Sequence, residues 1–545
     1  MSNVGKATIS AAICRILVNG GTKCAPFKAQ NTSKSTSPAL LPDSSRRDRL
    51  YELLAIGAKI GNIESPKSYS SVAPTKDQGY GQIGTAQSIQ AEACMIVPRV
   101  EMNPIFFKSG GQNDNNENLC GVIVTGKQII QDTYANLSRR ISSLQSMVLV
   151  SHRSLANATG AEVIVIQGAG SCSELNLIDG DIVNLPLVRC LQCPWILVAN
   201  DENGGVFAQV VGTKMCVSNK DWKLCLAVIV NKYKGKIEDS VSGFKMLENM
   251  IGKPVYAMNF TDDWHIPKQV GICVESKLAW EKRGDDDKMT KNNTVSTVVV
   301  VVVYPHTTIS NEVYPLEHDP RFRLEWRRKR LPKPYPATTA IILPGSSLTL
   351  LDLKWLQDSG WADLIRKHVA AGGVVLGLCA GYQMLGWRVN TKQAIGLLPI
   401  ASTAQPAECK LVNRMKGQLY PSGVHIDGFE INCGFSEVAQ SEQKNVAHGK
   451  YHGISPLLAY EDGKPEGMVL GRVKGTYLYG ILRSADARVE LLVPTDDRNS
   501  FDSIQVSDTV GDPDPIDKLA EQLQKNCGLD HDRLRNMIFG TNASQ

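Results

Sequence analysis

The sequence predicts an α/β protein built as two doubly wound domains with mainly parallel sheets. Short apolar, often β-branched runs recur along the chain: Val163–Ile166, Trp195–Ala199, Leu226–Val230, Thr339–Leu343 and Gly373–Leu378, and each ends abruptly in glycine or polar residues. Stretches with helical spacing stand between them, among them Ala11–Val18, closed by Asn19-Gly20-Gly21, and Trp355–Ala371. Buried strands alternating with helices imply parallel sheets covered on both faces, with ligands at the C-terminal strand ends. The pattern occurs twice, before and after the polar stretch Trp280–Thr294, which holds Asp285-Asp286-Asp287 and reads as a solvated linker.

Charge and composition remove several function classes. The 545 residues carry 59 Lys+Arg against 54 Asp+Glu, a net +5. That balance gives no argument for a nucleic-acid partner. Apolar runs are short, the six valines Val298–Val303 among them. A spanning helix needs about 20 apolar residues, so no membrane span is expected. The opening residues Met1 to Lys6 lack a secretory pattern, and a cytoplasmic location is expected. Of 14 cysteines only Cys190 and Cys193 form a C-x-x-C pair, without the second pair a zinc site would need.

Thr32–Gly81 is rich in Ser, Pro, Lys and Asp and reads as a mobile insertion with one short helix near Arg49–Ile60. An acidic turn at Asp512–Asp517 precedes a helix expected near Ile516–Asn526.

The chemistry concentrates at Gly377-Leu378-Cys379-Ala380-Gly381-Tyr382-Gln383-Met384-Leu385-Gly386, where an apolar strand enters a small-residue turn and then a helix. This is the geometry of a nucleophile elbow. Small neighbours allow close substrate approach. A helix N-terminus favours the thiolate and offers N–H groups to an oxyanion. Leu343-Pro344-Gly345-Ser346 is a second strand-end turn that a parallel sheet can set beside it, so Gly345, Ser346 and Ala380 are the expected oxyanion donors.

These two turns resemble the class I, triad-type glutamine amidotransferases. The first domain resembles the dethiobiotin-synthetase-like ATPases. In this order the two resemble the cobyric acid synthase family of the cobalamin pathway. Further stretches that carry the resemblance are Ala25–Asn31, Gly84–Glu92, Met102-Asn103-Pro104, Gly168–Ser171, Asp181–Asn184, Gly204–Ala208, Asn231-Lys232, Asp352–Leu356, Gly396–Pro399, Gly428–Ile431 and Gly475–Leu478. The resemblance implies a P-loop-type ATP-binding domain over 1–262 (insertion 32–81), a linker over 263–295, a flavodoxin-like amidotransferase domain over 296–492 and a helical extension over 493–545. It implies ATP and Mg²⁺ as cofactors, and glutamine or ammonia and a corrinoid as substrates. The implied reaction amidates side-chain carboxylates of adenosylcobyrinate a,c-diamide to give adenosylcobyric acid. Cys379 is then the nucleophile. Asn3, Gly5, Lys6, Asn231 and Lys232 are ATP contacts, the last two on the adenine side. Lys28, Gln30, Asn31 and Glu92 line a phosphate or carboxylate site.

The sequence departs from the family pattern at several reactive positions. The family's loop G-T-x-S-x-x-G-K-S is met here only from Ser2-Asn3-Val4-Gly5-Lys6, and Ala7 stands at its Mg²⁺-binding hydroxyl. Gln167 stands where the family has a metal-binding glutamate; an amide is a weak ligand for a hard cation. Asn203 takes an arginine position, with Glu202 keeping a charge beside it. Tyr479 replaces the general-base histidine of G-T-Y-L-H-G, and Asn432 replaces a second histidine. A phenol of ordinary pKa near 10 does not take a thiol proton at pH 7 as imidazole does. His448 and His452 are the nearest histidines in sequence, both read as surface residues. The first reading is a working, glutamine-hydrolysing synthase, or one that uses free ammonia. The alternative is a degenerate, non-catalytic homologue that binds a corrinoid, a nucleotide or a protein. A partition-type P-loop ATPase ranks last because it leaves Cys379 and the second domain unexplained.

Overall fold

The computed structural model describes residues 4–33, 36–42, 79–112, 118–133, 144–176, 181–202, 204–259, 297–308, 311–330, 335–346, 348–404, 411–432, 434–439, 453–494 and 515–540. The first domain runs α1 (Lys6–Asn19), β1 (Cys24–Phe27), β2 (Gln30–Ser33), β3 (Thr36–Leu40), β4 (Tyr80–Gly84), α2 (Thr85–Ala93), β5 (Ile105–Gln112), β6 (Asn118–Val124), β7 (Lys127–Thr133), α3 (Gln145–Thr159), β8 (Val163–Ile166), α4 (Leu185–Leu191), β9 (Trp195–Asn200), α5 (Val206–Cys216), α6 (Asn219–Lys223), β10 (Cys225–Tyr233), α7 (Val241–Ile251) and β11 (Val255–Asn259). β1 pairs in parallel with β8, and β9, β10 and β11 form a second parallel group. Among the described residues β8 and β9 have no pairing to each other. An apolar cavity of about 520 Å³ lies between them and reaches Lys6 and Gln167. β2 joins a small sheet, order β2-β5-β6-β7, whose last three strands are an antiparallel meander that the sequence reading missed.

The insertion is narrower than the composition implied. Residues 32 and 33 belong to β2, while β3 pairs antiparallel with β4 from Thr36↔Gly84 to Leu40↔Tyr80. Composition identified a polar segment but could not see that its two ends zip together. The helix expected near Arg49–Ile60 lies outside the described residues.

The second domain opens with β12 (Thr297–Val302), β13 (Thr307–Thr308), α8 (Tyr314–Glu317), β14 (Phe322–Arg327), β15 (Ala340–Leu343), β16 (Gly345–Ser346), α9 (Thr349–Asp358), α10 (Trp361–Ala370), β17 (Val374–Leu378) and α11 (Ala380–Leu385). Its seven-stranded sheet has the order β14-β12-β15-β17, then the strands at Val473–Thr476, Met468–Leu470 and Ile454–Ser455. The first five strands pair in parallel, and the last two pairings are antiparallel. The valine run explains itself here. Val299, Val301 and Val303 pack into the core on one face of the sheet, Val300 and Val302 into that on the other. Alternation over two buried faces needs apolar residues at every position. The helical stretch 355–371 is two helices, broken at Ser359-Gly360, where Gly360 has φ 75°. Only glycine takes that left-handed geometry without strain.

The extension over 493–545 contains α12 (Pro515–Cys527) and α13 (His531–Phe539) within its described part. It packs on the first domain. Ile516, Leu519 and Leu523 share one core with Ile9, Ile16 and Leu17 of α1. Arg15 Nη1 pairs with Asp517 at 2.9 Å, and Thr22 Oγ1 lies 2.9 Å from His531 Nε2.

Candidate functional site

The chain presents two candidate centres, each at the C-terminal ends of parallel strands. In the second domain, β17 delivers Cys379 with φ 51° and ψ −108°. A non-glycine residue held there is strained, as a nucleophile turn requires. The strain is locked in by packing. A Cβ on Gly381 would stand 1.9 Å from Leu343 O, and one on Gly475 2.0 Å from Tyr382. Neighbouring strands therefore hold both glycines at contact. The Cys379 N–H donates to Thr476 O at 2.8 Å, so that donor is not left for an oxyanion.

The two turns meet as expected, since Leu343 is the register partner of Gly377. Gly345 faces the thiol centre. Ser346 does not turn its hydroxyl there: it donates to Asp352 Oδ2 at 2.6 Å and accepts from Leu348 N at 3.0 Å. Asp352 also takes His306 Nδ1 at 2.9 Å and His306 N at 3.2 Å, so the start of the Asp352–Leu356 motif anchors the Gly345 turn. Ala380 is buried at the start of α11, a helix of only six residues. Its dipole is correspondingly small, weaker help to a thiolate than the sequence implied.

Tyr479 is buried and hydrogen-bonded with Cys379. Its hydroxyl would lie 2.8 Å from a Cβ on Gly345, and its ring stacks on Phe429 at 5.6 Å. Burial, then the neighbouring Cys379, pushes its phenol well above the ordinary value. It stays protonated and cannot act as a base. Tyr304 is the second buried phenol near Cys379, likewise pushed up by burial. Glu312 accepts from Gly480 N at 2.6 Å and fixes the turn behind Tyr479. Glu466 accepts from Thr476 Oγ1 and from Tyr477 N, and burial lifts its carboxyl to about 7. His448 and His452 lie outside the described residues. Sequence reasoning missed Tyr80, which β4 of the first domain packs against Tyr479. No local signal marks it, because the contact joins segments about 400 positions apart.

In the first domain, Gly5 has φ 88°, and a Cβ there would meet Asn231 Nδ2 at 2.2 Å. Asn231 Nδ2 donates to Val4 O at 2.9 Å. Asn231 therefore braces the loop backbone with its amide nitrogen, and its Oδ1 is buried with no hydrogen-bond partner among the described residues. The Lys232 ammonium pairs with Glu202 at 2.6 Å. Lys6 Nζ donates to Gly170 O at 2.8 Å and is pushed down by burial. Lys28, almost wholly buried, is pushed down to about 7 by burial and by the charge of Lys6. Lys6 lines the cavity and its charge reaches Lys28, and two neighbouring lysines suit a polyanion. Asn3 and Asn203 lie outside the described residues.

The expected metal ligand Gln167 is otherwise engaged. Its Oε1 accepts from Gln87 Nε2 at 3.2 Å and Gln90 Nε2 at 2.6 Å, and Asn31 Nδ2 donates to Gln87 Oε1 at 2.9 Å. This buried row of amides binds itself, so the donor set does not fit Mg²⁺ at Gln167. Gln30 is half-buried on β2 beside this row. Glu92 is exposed on α2, and its charge reaches Arg414 of the second domain.

Two family models cover the chain. Residues 1–268 match the CobQ/CobB/MinD/ParA nucleotide binding domain, and residues 298–487 match the CobB/CobQ-like glutamine amidotransferase domain. Curated relatives match across both. A cobyric acid synthase of Pelodictyon phaeoclathratiforme is 32% identical over 80% of this chain and 78% of its own length. One from Shewanella oneidensis is 31% identical over 89% of each chain. One from Chlorobaculum tepidum is 29% identical over 97% of this chain and 95% of its own. The chain belongs to the cobyric acid synthase family. Among the described residues no helix is long and apolar enough to cross a membrane.

Proposed function

We propose that this chain catalyses the cobyric acid synthase reaction, ATP-dependent amidation of corrinoid side-chain carboxylates, with ammonia as its effective nitrogen donor. The observation that carries the reading is the pair of neighbouring lysines, Lys6 at the loop and buried Lys28, in a nucleotide-binding domain followed by a Cys379 elbow. A carboxylate is a poor acyl donor until its oxygen is phosphorylated. Transfer of the γ-phosphoryl group gives an acyl phosphate and ADP; ammonia then displaces phosphate and leaves the amide. Lys6 and Lys28 neutralise the phosphates. The charge of Lys28, disfavoured in the empty site, is restored by the anion. No step is routed through a metal at Gln167.

At Cys379 the scaffold for glutamine hydrolysis persists, but Tyr479 supplies no base. Glutamine hydrolysis is therefore slow, while added ammonia bypasses the defect. The test measures ADP release with the a,c-diamide and Mg-ATP, supplied with either glutamine or ammonium. Turnover with ammonium and little with glutamine is the expected result. Full turnover with glutamine sinks the role given to Tyr479. No turnover with either donor favours a corrinoid- or nucleotide-binding homologue.

A further inference from the structure

The core beneath the nucleotide loop holds a side-chain cluster that neither proposed reaction uses. Cys14 on α1, Cys24 on β1 and Cys94 just after α2 bring three sulfurs within 4.8 Å of one another. Cys24 Sγ and Cys94 Sγ are 3.3 Å apart, and Cys24 Sγ is 3.7 Å from Cys14 O. All three are buried, at 0%, 3% and 3% exposure. Each comes from a different element, so the meeting is tertiary rather than a local Cys-x-x-Cys turn.

The thiols already form one hydrogen-bonded group, with the Cys24 S–H donating to Cys14 O and an S–H shared between Cys24 and Cys94. The Arg15 guanidinium is close enough to act on Cys94 and donates to Ala93 O at 3.1 Å and Glu92 O at 3.2 Å. It places a fixed positive charge beside the cluster.

Three thiolates around one metal have a defined size. A metal–sulfur distance of about 2.3 Å in a planar triangle puts the sulfurs about 4.0 Å apart. The present triangle lies within reach of that value. Zinc calls for a fourth ligand, and among the described residues no His, Asp, Glu or further Cys joins these three. Soft sulfur donors with a coordination number of three select a soft monovalent cation.

We propose that Cys14, Cys24 and Cys94 form a buried trigonal thiolate site for a soft monovalent metal ion, with cuprous copper as its representative. Loading exchanges protons for metal. Cys14, Cys24 and Cys94 each lose one proton, three S–Cu bonds form, and three protons leave to solvent. No electron changes hands. Because α1 carries both Lys6 and Cys14, occupancy ties the nucleotide loop's helix to β1 and α2 from below.

The test uses the full chain, reduced and anaerobic, titrated with cuprous ion against a chromogenic cuprous chelator. One equivalent should bind, with sulfur-to-copper charge-transfer absorption in the near ultraviolet and three sulfurs at about 2.3 Å by X-ray absorption. Cys24→Ala should weaken binding at least 100-fold, whereas Cys190→Ser and Cys216→Ser, at exposed positions, should leave it unchanged. If Cys24→Ala fails to fold, alkylation of the natural chain in mild urea with and without cuprous ion decides. Protection of Cys14, Cys24 and Cys94 together supports the site. Protection of exposed cysteines only, or binding unaltered in a folded Cys24→Ala, overturns it.

Discussion

The thiol centre and the two-lysine centre stand on the same kind of strand end, yet their neighbours differ. Around Cys379 the close side chains are phenols: Tyr479 in contact and Tyr304 near, both kept neutral by burial. The backbone there is strained, braced and complete. Around Lys6 and Lys28 two cations face each other, and the nearest row of side chains is amide rather than carboxylate. At one centre the described neighbours of the thiol stay protonated; at the other a buried lysine loses its charge until an anion restores it. Scaffold and chemistry are thus separable. A strand-turn-helix survives loss of its base because packing, not the base, holds it.

The largest effect that would sharpen this contrast is expected from Tyr479→His. A positioned general base is worth about 10²–10⁴-fold, so glutamate release should rise at least a hundredfold. A folded variant without that gain would mean the thiol centre is damaged elsewhere. Next comes Lys28→Ala. Loss of one charge-assisted contact of about 1.5–3 kcal/mol should weaken ATP about 10- to 100-fold by calorimetry. An unchanged affinity would remove Lys28 from the site.

A smaller effect follows from the lowered lysine. Lys28 sits near 7 in the empty site and returns toward its ordinary value when phosphate arrives. Above pH 7 the ammonium must therefore be remade on binding. ATP affinity should fall about tenfold from pH 6 to 8, with close to one proton taken up per ATP at pH 8. Calorimetry in buffers of different ionisation enthalpy counts that proton, and zero uptake at pH 8 contradicts the burial argument.

The smallest effect concerns stability of the second domain. Glu466 is lifted to about 7 by burial, above its unfolded value. Its contribution is full below the unfolded value and is lost as pH rises through 7. Resistance to urea should decline from pH 5 to 8, and Glu466→Gln should flatten that slope. An unaltered slope would assign the decline to other groups.

The parts of the fold that were legible are those with local causes. The valine strand, the Cys379 elbow and the strand ends at Ile166 and Ala199 each follow from a short run and its terminator. The break at Gly360 was passed over because helical spacing continues across it. The meander from Ile105 to Thr133 escaped notice because its strands do not alternate cleanly. Within the sites, Cys379 and Lys6 were readable from motif. The duties of Asn231, Gln167, Ser346 and Tyr80 were not, because each is set by a partner distant in sequence.

The last helices carry a further implication for how the molecule comes into being. Ile516, Leu519 and Leu523 complete the core around α1, which is made about 500 residues before them. Chains emerge N-terminus first, and early domains ordinarily close before later ones appear. Here the opening domain must wait with an apolar flank uncovered until its own tail has left the ribosome. Segments about 500 positions apart therefore close one core, and a chain cut before Pro515 leaves the apolar face of α1 uncovered.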